Sequence, residues 1–83
     1  MRSDPVSRAV KKLSGAELQL LRECLDHAMT KPHRDVAELL PVLINGHHHI
    51  REATARRIKA AIHDLSSEDL SWLADNIERF LPG

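Results

Sequence analysis

The three adjacent histidines of this 83-residue chain, His47, His48 and His49, are the side chains best suited to bind a metal ion. His33 or His63 would add a ligand if the fold brought it close. Structural zinc sites, however, usually combine cysteines with spaced histidines, and this chain has one cysteine. The histidines therefore indicate a solvated loop. A pH-dependent contact is the alternative, because histidine changes charge near neutral pH.

A thiol and an imidazole one helical turn apart, Cys24 and His27, are the next pair with possible chemistry. A nucleophilic thiol needs partial exposure and a basic neighbour. Cys24 lies between Leu21 and Leu25 on an apolar stripe, where cysteine is usually a core residue. The glycines form no phosphate-binding loop, and no pair of carboxylates is placed for acid–base catalysis. We predict no catalytic residue, no cofactor, no metal and no enzymatic activity.

Two matching start signals indicate where helices begin. Ser14 is followed three residues later by Glu17, and Ser66 is followed by Asp69. This spacing is typical of a capping box, in which the serine side chain and the acidic side chain each bond the other residue's backbone N–H. Leucines flank both serines at the spacing of a hydrophobic staple: Leu13 with Leu18, and Leu65 with Leu70.

Apolar residues recur at helical spacing through most of the chain, and no segment has the period of a strand. We predict an all-α fold, a compact bundle of four helices over residues 15–29, 33–45, 50–64 and 67–80. A loose basic arm is predicted over residues 1–12, and a single helical domain over residues 13–83. Pro41 is expected to kink the second helix, and Asn45-Gly46 to end it in the left-handed conformation.

The predicted core consists of the apolar stripes of these four helices. Its members are Leu18, Leu21, Cys24, Leu25, Ala28, Met29, Val36, Leu39, Leu40, Leu43, Ile44, Ile50, Thr54, Ile58, Ala61, Ile62, Leu65, Leu70, Leu73, Ala74, Ile77 and Leu81. Ala53 and Ala60 form a second flank of small residues on the third helix. This flank predicts close approach by another helix, either from this chain or from a second copy.

The charges balance, with 12 Lys and Arg against 12 Asp and Glu, so no overall field attracts the chain to nucleic acid or membrane. Basic residues nevertheless concentrate in residues 1–12 and 50–64. The chain is small enough to gain stability from a second copy. A single cysteine, no secretory signal and no apolar stretch of membrane-spanning length predict a cytoplasmic protein without membrane contact.

The segment over residues 50–58, in which an Ala-Thr pair precedes two arginines, resembles the recognition helix of helix-turn-helix DNA-binding proteins. Residues 36–40 correspond to the supporting helix of that family. A turn of about 3 to 4 residues joins the two helices in the family, whereas residues 41–49 lie between them here. The resemblance implies a DNA-binding regulator that uses this helix and the basic arm.

Zero net charge and the absence of a reaction centre favour a different function, a small non-enzymatic helical module for protein–protein interaction. Such a module acts as a regulator, adaptor or inhibitor, and its partner is another protein or a second copy in a homodimer. A tryptophan beside the apolar stripe of the last helix either acts as a binding hot spot or covers the protein's own core. The predicted partner-binding residues are Arg51, Arg56, Arg57, Lys59, His63 and Trp72.

Overall fold

Five α-helices and one short 3-10 helix make up the part of the chain that the computed structural model describes, residues 3–31 and 35–81. The helices are α1 (Ser3–Lys11), α2 (Gly15–Met29), α3 (Val36–Gly46), α4 (Glu52–Ile62) and α5 (Ser67–Asn76), followed by the 3-10 turn Ile77–Arg79. No strand occurs in these residues, which confirms the predicted all-α class. Helix α2 packs against α3, α4 and α5 in a body of 32 × 29 × 23 Å.

The first helix corrects the prediction of four helices and a loose N-terminal arm. Residues 3–11 form α1, which packs against α4 and α5. Val6 is completely buried, and Ala9, Val10 and Leu13 continue its face at helical spacing. Pro5 is compatible with this helix because it lies in the first turn, where the missing N–H has no helical acceptor. The sequence did not predict this helix because so short a run of mostly small apolar residues produces a weak periodic signal.

Both predicted capping boxes are present. The Ser14 N–H donates to Glu17 Oε1 at 2.9 Å and the Glu17 N–H donates to Ser14 Oγ at 3.2 Å. The matching bonds join Ser66 and Asp69 at 3.3 and 3.1 Å. The four flanking leucines are buried, as hydrophobic staples require. Helix α2 ends at Met29, with the C-cap at Thr30, as predicted.

Helix α3 begins after the N-cap Asp35, whose carboxylate accepts the Ala37 N–H at 3.0 Å. The predicted start at residue 33 lies outside the described residues. The helix continues through Pro41 to Gly46, so the connection to α4 is residues 47–51, one residue longer than the predicted 46–49. No described residue has a positive φ. The predicted left-handed stop is therefore wrong, and α3 ends instead because His47 turns to extended backbone.

The core draws on every helix, and Leu25, Leu40, Ile58 and Leu73 are among its fully enclosed members. Two predictions about packing within the chain are wrong. Met29, at the margin of the α2 stripe, is 44 % exposed. Ala53 and Ala60 are both exposed, because α4 packs on its neighbours through a different face that contains Ala55 and Ala61. No helix of the described residues therefore covers this flank, and its approach by a second copy stays a prediction. None of the helices described here combines the length and apolar character that a membrane span needs.

Candidate functional site

Helix α3 carries an apolar face that the described residues leave partly uncovered. A neighbouring face of the helix is buried through Leu40 and Ile44. A second stripe follows at i, i+3, i+4 and i+7, and we call it the α3 edge: Leu39, Val42, Leu43 and Gly46. Val42 is 64 % exposed, whereas Leu39 and Leu43 are half-buried against the core. An apolar stripe of this spacing is the surface a helix normally buries against a neighbour.

Two depressions border the α3 edge and meet at Val42. The first has a volume of about 320 Å³, and its lining residues are Cys24, His27, Val42, Leu43, Gly46, His47, His48 and His49. The second has a volume of about 370 Å³, and its lining residues are Lys31, Asp35, Glu38, Leu39 and Val42. The α3 edge is therefore the floor of one continuous surface, with histidines at one end and carboxylates at the other.

The histidine end is held in place by a short network. The Nδ1 atom of His47 accepts the backbone N–H of His49 at 3.1 Å, and the two rings meet edge to face with centroids 5.7 Å apart. The Nε2 atom of His47 lies 3.4 Å from the carboxylate of Glu23 on α2. His48 and His49 are exposed beside it. This loop thus presents two imidazoles to solvent and uses the third to anchor itself to α2.

The thiol in this region is not arranged for nucleophilic chemistry. Cys24 is 1 % exposed, and burial, with a smaller effect of the Glu23 charge, raises the pKa of its thiol to about 11. The thiol is therefore protonated at neutral pH and a poor nucleophile. Within residues 3–31 and 35–81, no group of three or more His, Cys, Asp or Glu is arranged to hold a metal ion. His33, one of the two histidines considered as a third ligand, lies outside the described residues.

Arg57, one of the predicted partner-binding residues, makes its contacts within the chain. Its Nε donates to Glu17 Oε2 at 2.7 Å, and its Nη2 donates to Glu17 Oε1 at 3.3 Å and to the Lys12 carbonyl at 3.2 Å. Glu17 is 8 % exposed and is the only buried charged residue in the described part of the chain. Hydrogen bonds from Arg57, and then from the Ser14 N–H, hold the pKa of Glu17 below its usual value of 4.5. This ion pair joins the start of α2 to α4.

The other predicted partner-binding residues are divided between two helices. Arg56 pairs with Glu52 at 2.8 Å on α4, and Lys59 Nζ donates to Asn45 Oδ1 at 2.7 Å. Lys59 lines one surface depression together with Arg56 and another together with His63. Arg51 is exposed at the start of α4.

Trp72 lies apart on α5, where it is half-buried with its ring 6.4 Å from that of Phe80. It therefore packs on the core while keeping part of its surface in solvent. The half-buried position is the one predicted, and its role in binding stays a prediction.

The α3 edge was missed by the sequence analysis, which placed Leu39 and Leu43 in the core and did not consider Val42. A signal was present, because apolar residues span more than half of the circumference of this helix, wider than one buried face requires. Comparisons with protein-family models, with curated proteins and with solved structures found no match to this chain. Its function is therefore inferred from the geometry of these surfaces alone.

Proposed function

We propose that this protein is a small non-enzymatic helical module for protein–protein interaction, acting as a regulator, adaptor or inhibitor. The observation that supports this function is the α3 edge, and above all the 64 % exposure of Val42 in the middle of a helical apolar stripe. Isolated apolar side chains are common on protein surfaces, but a contiguous apolar patch with a polar rim marks an interaction site. The histidines and carboxylates at the two ends of the edge form that rim.

The proposal is tested by placing a photo-crosslinking side chain at residue 42 and, as a control, at the exposed residue 19 of α2. Proteins captured from the native cell extract only through residue 42 are identified, purified and titrated against the chain by calorimetry. We expect Val42→Lys to weaken this binding by about 10-fold or more, because a charge replaces a buried apolar contact. Gln19→Lys adds the same charge on α2 and should leave the affinity unchanged. Equal affinities for both variants would contradict the proposal.

DNA binding is a second candidate function, favoured by one observation. Helix α1, whose last turn carries Arg8 and Lys11, packs against the basic helix α4. A basic surface across both helices would suit a phosphate backbone. Against it, Arg57 and Arg56 pair with carboxylates of the same chain, and the net charge is zero.

Fluorescence anisotropy with duplex DNA distinguishes the two candidates. We expect no measurable binding at physiological salt. Binding of about micromolar affinity that weakens steeply with added salt would favour the DNA-binding function instead. In that case Arg56→Ala and Lys59→Ala should each reduce the slope of the salt dependence by roughly one, as expected for the loss of one phosphate contact.

A further inference from the structure

We propose that the partner of the α3 edge is the same edge of a second copy of this chain. The two α3 helices would pack antiparallel about a two-fold axis that passes between Val42 and Leu43. This inference rests on the proposed function, because it names the partner of the interaction module. It is supported by the order of residues along the edge, the open space over Gly46 and the charges at the two ends.

The order of residues makes the α3 edge complementary to itself. In an antiparallel pair, Leu39 of one copy faces Gly46 of the other, and Val42 faces Leu43. A two-fold interface requires this property, because the same patch contributes to both sides. In a parallel pair each residue would face its own copy, and the two glycines would leave a gap.

The space over Gly46 fits the side chain that the antiparallel pair brings to it. A Cβ atom built on Gly46 has no heavy atom within 4 Å. The backbone of Gly46 is helical and has no positive φ, so the conformation does not require glycine, which destabilises a helix relative to alanine. A residue without a side chain at this position allows the Leu39 side chain of a second copy to approach the backbone closely.

The acidic and imidazole side chains lie at opposite ends of α3, and an antiparallel pair would bring these ends together. Asp35 and Glu38 lie at the N-terminal end, beside Lys31, and the exposed His48 and His49 follow the C-terminal end. Antiparallel packing places the carboxylates of each copy beside the imidazoles of the other, and an imidazole N–H donates to a carboxylate whether or not the ring is charged. The helix dipoles also oppose each other in this arrangement.

The test measures the mass of the full chain by analytical ultracentrifugation at up to about 1 mM. We expect the wild type to be a dimer and Val42→Glu to raise the dissociation constant about 100-fold, because the new charge would be buried without a partner. Ala60→Glu is the matched control, since it introduces the same charge at an exposed small residue of α4. It should leave the dimer intact.

Gly46→Leu is a second variant, which tests the interface even if Val42→Glu unfolds the chain. Its side chain would extend into open space in the monomer but would exclude Leu39 of the second copy. We therefore expect a folded monomer, with unchanged helical circular dichroism. A folded Gly46→Leu variant that dimerises like the wild type would overturn the inference.

Crosslinking tests the antiparallel orientation in a Cys24→Ala background. Val42→Cys lies next to the two-fold axis and should form a disulfide-linked dimer on oxidation. Gly46→Cys should not, because the two positions lie on opposite sides of the axis. Efficient crosslinking through Gly46→Cys would indicate a parallel pair and contradict the proposed packing.

The remaining outcomes separate this inference from the proposed function. A wild type that is monomeric at every concentration overturns the homodimer. A dimer that is dissociated by Ala60→Glu but not by Val42→Glu overturns it as well. The interaction module stands in either case if a purified partner binds the wild type but not Val42→Lys. If no partner depends on Val42 and the chain is monomeric, both proposals are wrong.

Discussion

The starts of α2 and α5 contain the same capping box in different surroundings. In α2 the carboxylate of the box, Glu17, is buried and also accepts hydrogen bonds from Arg57 of α4. In α5 the carboxylate of Asp69 bonds within the box, and the link to another helix is made by Ser67, whose hydroxyl donates to Asp35 at the start of α3. The box of α2 thus takes part in a contact between helices, whereas the box of α5 only adjoins one, and the contribution of each residue to stability depends on what packs beside it.

The largest expected difference between the two boxes concerns their carboxylates. Glu17→Ala should reduce the free energy of unfolding by about 2 kcal/mol, because it removes both the N-terminal bond and the ion pair with Arg57. Asp69→Ala should reduce it by about 1 kcal/mol, since it removes the bond within the box. Urea denaturation followed by circular dichroism measures both. Equal losses would show that the ion pair to α4 adds nothing to the box of α2.

The losses of stability on replacing the two capping serines should differ far less than the losses on replacing the two carboxylates. Ser14→Ala and Ser66→Ala should each cost about 1 kcal/mol, because each removes one acceptor for an unpaired N–H of the first helical turn. The same urea experiment applies, with Ser71→Ala within α5 as a control that removes a hydroxyl but no cap. No loss for either capping serine would contradict the idea that the motif acts locally.

The pH dependence of stability should distinguish the boxes further. Because Arg57 lowers the pKa of Glu17 in the folded state, the unfolded chain binds this proton more readily than the folded chain does. The stabilisation is therefore complete above the usual value of 4.5 and is lost as the pH falls from there through the lower folded pKa.

Urea midpoints of the wild type and of Glu17→Gln, measured between pH 7 and pH 3, should converge over this acidic range. Arg57→Ala provides the control, because it removes the main cause of the pKa shift and should flatten the pH dependence. A constant difference between the wild type and Glu17→Gln across the range would argue against the shift.

The smallest expected effect tests whether residue type explains the difference between the boxes. Asp69→Glu gives α5 the same acidic residue that α2 has. Because no arginine donates to Asp69 in the described structure, we expect the free energy of unfolding to change by less than about 0.5 kcal/mol. A gain comparable to the loss from Glu17→Ala would mean that the glutamate side chain, and not the contact with Arg57, makes the α2 box stronger.

The candidate site was less predictable than the helices because exposure depends on which faces the neighbouring helices cover. Leu39 and Leu43 fit the helical period as well as Leu40 and Ile44 do, and sequence spacing cannot tell a stripe that meets α2 from a stripe that meets solvent. The basic residues of α4 were recognised from their spacing. The contact between Arg57 and a buried carboxylate 40 positions away was not predicted, because no residue near either of them in the sequence indicates the other.

The all-α class, the capped starts at Ser14 and Ser66 and the end of α2 near Thr30 could be predicted from the sequence, because caps and apolar periods act within a few residues. The helix over residues 3–11 depends on packing between distant segments, because Val6 is stabilised by burial against helices that lie far along the chain. The same packing buries Glu17 beside Arg57 and leaves Val42 in solvent. These outcomes depend on how helices pack together, and a short helix derives most of its stability from that packing.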